Sequence, residues 1–403
     1  MRRPLFPSDY LIVVRANTKN LSLLLGLSRE DSYLSNFVSG RIYTNGRFIE
    51  GYVEFENGVI IDVSEGRHRG KSITDGIVIP YLSSCHTHIG DACLRGKVDG
   101  CSSLDALVKP PGGLKHVLLA QQSDADVIKA MGAAIDEMRY FGVGRFIDFR
   151  EGGVKGLMLF KQAVSDHHYP LPVVLSRPEG LMYSEEEVDD LLDGSDGIGI
   201  SAVRDWPYDH LSLLCSHVRS RGKMLAMHSS EGVREDISQV IELDPDFLVH
   251  MSSATGDDLV ACKDAGIPVV VCPRSNAKFG IRLDIAKMLD SGLDVCLGTD
   301  NAMLNNMSVI DEMKAAFSSK FNSRPLELLE VFKLAIDNPR KVLNDTAVIS
   351  IEAGNPCEFM VVKAGMGDSP EELLSQKTDY MIELVSRGSR IWKSEPWRKS
   401  KGS

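Results

Sequence analysis

Six residues in this chain have the types and the placing to do chemistry together: His86, His88, His228, Glu231, His250 and Asp300. His86-Thr87-His88 sets two imidazoles at i and i+2, and on an extended strand such side chains leave from one face. Imidazole is the commonest side-chain metal ligand, and two rings on one face are half of a zinc shell. A His-x-His pair alone decides nothing, because it arises readily by chance. Its weight comes from downstream. His228 follows the apolar run Met224-Leu225-Ala226-Met227, His250 follows Phe247-Leu248-Val249, and Asp300 stands just beyond Val295-Cys296-Leu297. Any one of these taken alone reads more readily as a capping or core polar group. Together, each at the end of a short buried run, they point to one site. Glu231 lies three residues beyond His228, within reach of the same point.

The elements that must position these residues are legible in the rhythm of the chain. Its 403 residues exceed one small domain and suit a barrel of about 250 residues with an appended unit. From 36 to 63 the pattern alternates, with turns at Asn45-Gly46 and Asn57-Gly58, the signal of β-hairpins. After Gly76–Pro80, the apolar stretch that leads into the histidine pair, short apolar runs alternate with amphipathic stretches such as 124–138 and 257–264. The runs are 145–149, 172–175, 197–201, 223–227, 247–249, 268–271 and 294–297. With the run ending at His86 they make eight, the pattern of an α/β fold built as a (β/α)8 TIM barrel. A closing helix is expected over 325–342. Strand patterning returns at 347–351 and 358–362, so both termini are expected to build a small flanking β-sandwich domain. The expected division is an N-terminal extension over 1–35, the β-domain over 36–80 plus 346–397, and the catalytic barrel over 81–345.

Composition narrows the partners. A net charge of −11 provides no basic field for a nucleic-acid polymer. No apolar run reaches membrane-spanning length, and the first apolar stretch is broken by Asp9, Tyr10 and Arg15, against a secretory signal. Eight cysteines without a Cys-x-x-Cys, several of them inside apolar runs as Cys272 and Cys296 are and so expected as buried thiols, read as those of a reduced, cytoplasmic protein. The expected partner is a small-molecule substrate, with no membrane and with room for a homo-oligomer.

His86-x-His88, His228-x-x-Glu231, His250 and Thr299-Asp300-Asn301 resemble the metal-dependent amidohydrolase superfamily. The resemblance covers roughly residues 36–365 and is strongest to the branch with the adenosine-type, S-adenosylhomocysteine, guanine and cytosine deaminases and the triazine chlorohydrolases. Cys272-Pro273-Arg274-Ser275-Asn276, Asn338-Pro339-Arg340-Lys341 and Ile351-Glu352-Ala353-Gly354-Asn355 are similar to further elements of that branch. Pro356-Cys357-Glu358 departs from its usual Ala-Asp-Leu, within the β-domain. The resemblance implies that His86, His88, His228 and Asp300 hold one divalent metal ion, Zn2+ before Fe2+ or Mn2+. Three nitrogens and one carboxylate leave room for a water, whose pKa such a metal lowers toward neutrality. Binuclear relatives use a lysine on strand four; residues 197–203 contain none, which favours one metal. Glu231 is implied as the proton shuttle. His250 is implied as a hydrogen-bond donor to the attacking oxygen, with a further ligand role as the alternative, and Asp300 as acceptor of a second proton.

Substrate contacts are weaker readings: Arg150, Arg177 and Glu179 at the ends of runs two and three, and Asn301 beside Asp300. Arg150-Glu151 serves equally as a structural ion pair. Asp91, Lys115 and His116 fall in a long loop of the kind that often forms a lid. Gly197-x-Gly199-x-x-Ala202 matches a dinucleotide motif, but no helix opens after it. The expected activity is deamination of an aminated heterocycle, an adenine-like purine or its nucleoside, a hydrolysis at a carbon–nitrogen bond that is not a peptide. The alternatives are hydrolysis of another C–N or a C–Cl bond and, outside enzymes, a structural metal-binding protein. The His-x-Glu and Pro-Cys-x-x-Cys signature of the other zinc deaminase fold is missing.

Overall fold

The computed structural model describes residues 36–343 and 350–393. The expected extension over 1–35, and residues 346–349 and 394–397 of the expected β-domain, lie outside them.

The chain opens with three antiparallel strands, β1 (Asn36–Thr44), β2 (Arg47–Glu56) and β3 (Val59–Glu65). Both connections are two-residue turns, Asn45-Gly46 and Asn57-Gly58, and all four residues take positive φ. Mirror-image turns of this kind match the twist of a hairpin, which is why Asn-Gly serves. Next, β4 (Asp75–Pro80) pairs in parallel with β1 and antiparallel with β14 (Glu358–Ala364). Two further strands, β15 (Tyr380–Arg387) and β16 (Arg390–Lys393), complete the sheet in the order β16-β15-β14-β4-β1-β2-β3. Strands from both ends of the described chain thus meet as expected. Hydrogen bonds join all seven in one sheet, however, and not in the two of a sandwich. The stretch Gly76–Pro80 also belongs here; the strand carrying the histidine pair starts afresh at Leu82.

The second sheet holds β5 (Leu82–His88), β6 (Val143–Arg150), β7 (Leu171–Ser176), β8 (Gly197–Ile200), β9 (Met224–Ser229), β10 (Phe247–His250), β11 (Val269–Val271), β12 (Val295–Leu297) and β13 (Asp300–Asn301). Neighbours from β5 to β12 run parallel, in chain order, and helices fill the crossovers. Only Gly298-Thr299 separates β12 from β13, and β13 pairs with β5, so the curled sheet brings its last segment back along its first. The core strands are buried along nearly their whole length, as parallel strands covered on both faces must be.

Alternation sorts the side chains onto two faces. Phe146, Leu225, Met227, Leu248, Val269 and Leu297 pack under the helices, while Ile147, Phe149, Met224, Ala226, Phe247, Val249 and Cys296 form the inner core. The expected helix over 325–342 is two, Leu328–Ala335 and Pro339–Leu343. The break falls before Pro339, where the proline ring disfavours helical backbone.

Candidate metal centre

His228 belongs to the inner parity of β9, with Met224 and Ala226, and so points into the curl. His86 and His88 get there by a different device. Strict alternation from Leu82, which packs outward, would also turn them outward. Between Ser84 and Thr87 the pairing with β6 slips: three steps on β5 oppose two on β6, from Phe146 to Asp148. One extra residue is a β-bulge, which re-aims the side chains beyond it. It leaves Thr87 facing Asp148 and swings His86 and His88 inward. His250 is re-aimed by backbone. Its φ of 77° and the 54° of Met251 reverse the alternation, so that His250 joins the other rings while Met251 packs outward. Asp300, in β13, also has positive φ, at 57°. Left-handed backbone at residues with a Cβ is strained by roughly 1–3 kcal/mol each and clusters at functional sites.

The donors converge. His228 Nε2 lies 3.2 Å from His86 Nε2 and 3.4 Å from His88 Nε2. Asp300 Oδ1 lies 3.3 Å from His86 Nε2 and 3.7 Å from His88 Nε2. Tetrahedral zinc bonds of 2.0–2.2 Å require donors about 3.3 Å apart, so these four separations are close to the edges of such a shell. Among the described residues two groups of donors lie close enough together to hold a metal ion, His86, His88 and Asp300 in one and His86, His228 and His250 in the other, so His86 is common to both and His250 stands as near as the expected ligands. His228 Nδ1 donates to the Ile200 carbonyl at 2.8 Å, which leaves Nε2 free as a ligand. His250 stands beside this set, its ring 5.4 Å from that of His228 and its Nε2 3.5 Å from Glu231 Oε1.

Two glycines make room. A Cβ at Gly298 would meet Cβ of His86 at 2.8 Å and its backbone O at 2.9 Å, and one at Gly90 would overlap the Arg150 guanidinium. Ser84 and Thr299 hydroxyls, 3.0 Å apart, tie the two edges of the sheet beside the donors. Asp148 accepts from Ile89 N at 2.7 Å and holds the end of β5 in place.

Burial sets the protonation states. It holds His88 and His228 well below the ordinary imidazole value, with Lys115 and His86 respectively adding to it, and holds His250 down at about 4. All three are neutral and able to ligate. Burial, reinforced by Asp300, pushes Glu231 up to about 8, a carboxyl that can both take and give a proton near neutrality. Burial alone would raise Asp300 too, but the His86 hydrogen bond and the surrounding rings keep it well below the carboxylate range.

A cleft open to solvent reaches this cluster. Glu231, His250, Asp300, Asn301 and Arg177 line it, with Lys115 and Glu151 at the same wall. Of the residues read as substrate contacts, Arg177 and Asn301 are thus at the cleft. Arg150 is buried against Gly90 and Met131, 3.6 Å from Asp148, and lies outside the lining. Glu179 is exposed and also outside it, because the chain turns away after Arg177 to pair Glu179 N with Glu187. Sequence reasoning did not single out Arg204 and Glu235, also in the lining, nor the clustering of Lys115, Asp91 and Glu151. The only signal for that cluster was three charged residues in or beside apolar segments.

Comparison with known proteins follows the same outline. Residues 77–388 match the amidohydrolase family. An uncharacterized protein of Methanocaldococcus jannaschii is 31% identical over 334 residues, which cover 78% of this chain and 86% of that one. A 5-methylthioadenosine/S-adenosylhomocysteine deaminase of Thermoanaerobacter pseudethanolicus is 24% identical over 85% of this chain and 84% of its own. Among solved structures, an adenosine deaminase from Xanthomonas campestris with bound zinc has a TM-score of 0.69 at 17% identity, over 89% of this chain and 92% of that one. The last is a likeness of fold.

Proposed function

Because the chain belongs to the amidohydrolase family and is a hydrolase of that family, we propose that it deaminates an aminated heterocycle, an adenine-like purine or its nucleoside, releasing ammonia. The curled sheet with its crossover helices is read as a (β/α)8 barrel over 81–345 that carries the catalysis, flanked by the unit from 36–80 and 346–397. The relative whose name is 5-methylthioadenosine/S-adenosylhomocysteine deaminase supports the choice of an adenine-like ring.

His86, His88, His228 and Asp300 would hold one divalent metal, with zinc favoured by the donor set. Bound there, it would lower the pKa of a water enough to make a nucleophile near neutral pH. The protein's own groups do the rest. Glu231 takes the proton of the attacking water and passes it to the ring nitrogen next to the attacked carbon, which a carboxyl near pH 8 is poised to do. His250, held neutral, hydrogen-bonds the attacking oxygen from its place beside Glu231. Asp300 takes the second proton and delivers it to the departing amine. The observation that carries this reading is Glu231, whose carboxyl stands 3.5 Å from His250 at the edge of the donor groups: a purely structural site has no use for one.

The test is ammonia release from a panel of aminopurines, aminopyrimidines and their nucleosides by the zinc-loaded protein. Turnover of an adenine-like member is expected; a panel that yields no ammonia from any member sinks the deaminase reading.

A further inference from the structure

His88 differs from His228 in one respect that bears on the donor cluster. The outer nitrogen of His228 is committed to the Ile200 carbonyl, but His88 Nδ1 is buried with no hydrogen-bond partner among the described residues. The polar atom facing it is Glu151 Oε1, 3.9 Å away. That oxygen is gripped from the other side by Lys115 Nζ at 2.8 Å and Arg177 Nη2 at 3.1 Å. Lys115 also reaches Asp91 at 3.2 Å, and His116 Nδ1 stands 3.8 Å from Glu151 Oε2. The Lys115 and Asp91 side chains are 3% and 0% exposed, those of Glu151 and Arg177 10% each. Burying two cations and two carboxylates together costs several kcal/mol per ion in desolvation, which their mutual pairing only offsets. An apolar cluster would hold this corner of the fold as well. What an apolar cluster cannot do is present a fixed carboxylate to an imidazole N–H.

We propose that Glu151 is a positioning residue. Its carboxylate, anchored by Lys115 and Arg177, accepts the Nδ1–H of His88 and so turns the Nε2 lone pair toward Asp300 and His228. The gap of 3.9 Å exceeds a hydrogen bond by less than 1 Å, which a small rotation of either side chain closes. Such outer partners fix the tautomer and aim of a ligating histidine. The anchor also links the centre to the loop over the cleft. Lys115 belongs to the helix Leu114–Leu119 of the segment whose Leu104, Val108 and Pro110 line the cleft. The inference rests on His88 being a metal ligand.

The experiment titrates full-length protein with zinc against a chromophoric chelator and records the visible spectrum of the cobalt(II) form. The variants are Glu151→Gln, Lys115→Met, the double Glu151→Gln/Lys115→Met, and His88→Ala. The double variant removes one charge of each sign but takes from buried Asp91 its Lys115 partner, so its fold is checked by circular dichroism before metal is added. Glu151→Gln and the double variant should bind zinc about 10–100-fold more weakly with a shifted cobalt spectrum, while Lys115→Met, which keeps Glu151 on Arg177, stays nearer the parent. Parent affinity and spectrum in the double variant, with metal lost in His88→Ala, overturn the inference alone. Metal retained in His88→Ala overturns the ligand reading and the inference with it. If the double variant does not fold, histidine nitrogen NMR of the metal-free parent decides, with the resonance assigned by its absence from His88→Ala. A proton on Nδ1 of His88 supports the inference, and a proton on Nε2 overturns it.

Discussion

Glu231 is where one atom's protonation decides the chemistry. Its carboxyl is pushed up to about 8 chiefly by burial and then by Asp300, while His250, 3.5 Å away, stays neutral. The amide of Glu231→Gln keeps the shape but cannot carry the proton from water to substrate. Metal content measured by elemental analysis should therefore stay at the parent level while kcat falls roughly 10²–10⁴-fold. A variant that loses its metal would place Glu231 among the ligands instead, and one that keeps its kcat would remove the shuttle role.

At the scale of elements, the site depends on a seam. Asp300 pairs with Thr87 and Asn301 with His88, and just before that register the chain passes close against His86 at Gly298. An added Cβ there would meet Cβ and the main chain of His86, atoms fixed by the backbone, so the clash cannot be relieved by a side-chain rotation. Gly298→Ala should push β12 and β13 off β5 and cost about 2 kcal/mol, the usual scale of overpacking. Urea denaturation would measure the loss, and a zinc titration of the same sample should show weakened binding. Gly132→Ala is the matched control: it sits in the helix Asp124–Tyr140, where a Cβ meets only His167 at 3.5 Å. It should be neutral or stabilising, since alanine is the better helix residue. Equal stability for the two variants would mean that the seam yields more easily than its geometry implies.

For the whole molecule, the donors join distant parts of one sheet: β5, β9 and the β13 segment, with His250 from β10. A metal bound only by the folded chain stabilises it by mass action, about 4 kcal/mol at a thousandfold excess over Kd. Chelation should accordingly lower the melting temperature, and added zinc should restore it. His86→Ala should melt at one temperature whether zinc is present or removed. An unchanged melt on chelating the parent protein would separate the site from the fold. No helix among the described residues is long and apolar enough to cross a membrane.

Local chemistry was what the sequence by itself determined. Short apolar runs placed seven of the eight principal strands within two residues at either end, because burial on both faces imposes continuous apolar runs whatever lies around them. Asn-Gly placed both hairpins, because few other residues accept two successive positive φ values. The histidines, Glu231 and Asp300 stood out because polar groups ending buried runs need a reason. Tertiary structure alone decided how those residues face one another. A period of two predicts that His86 and His88 share a face, but not which face; a one-residue bulge against β6 turned them inward. Nothing local marks His250 for a left-handed backbone, nor Glu151 for a place between His88, Lys115 and Arg177. Such pairings join residues tens of positions apart, and their energy exists only once the sheet has curled and excluded the water between them.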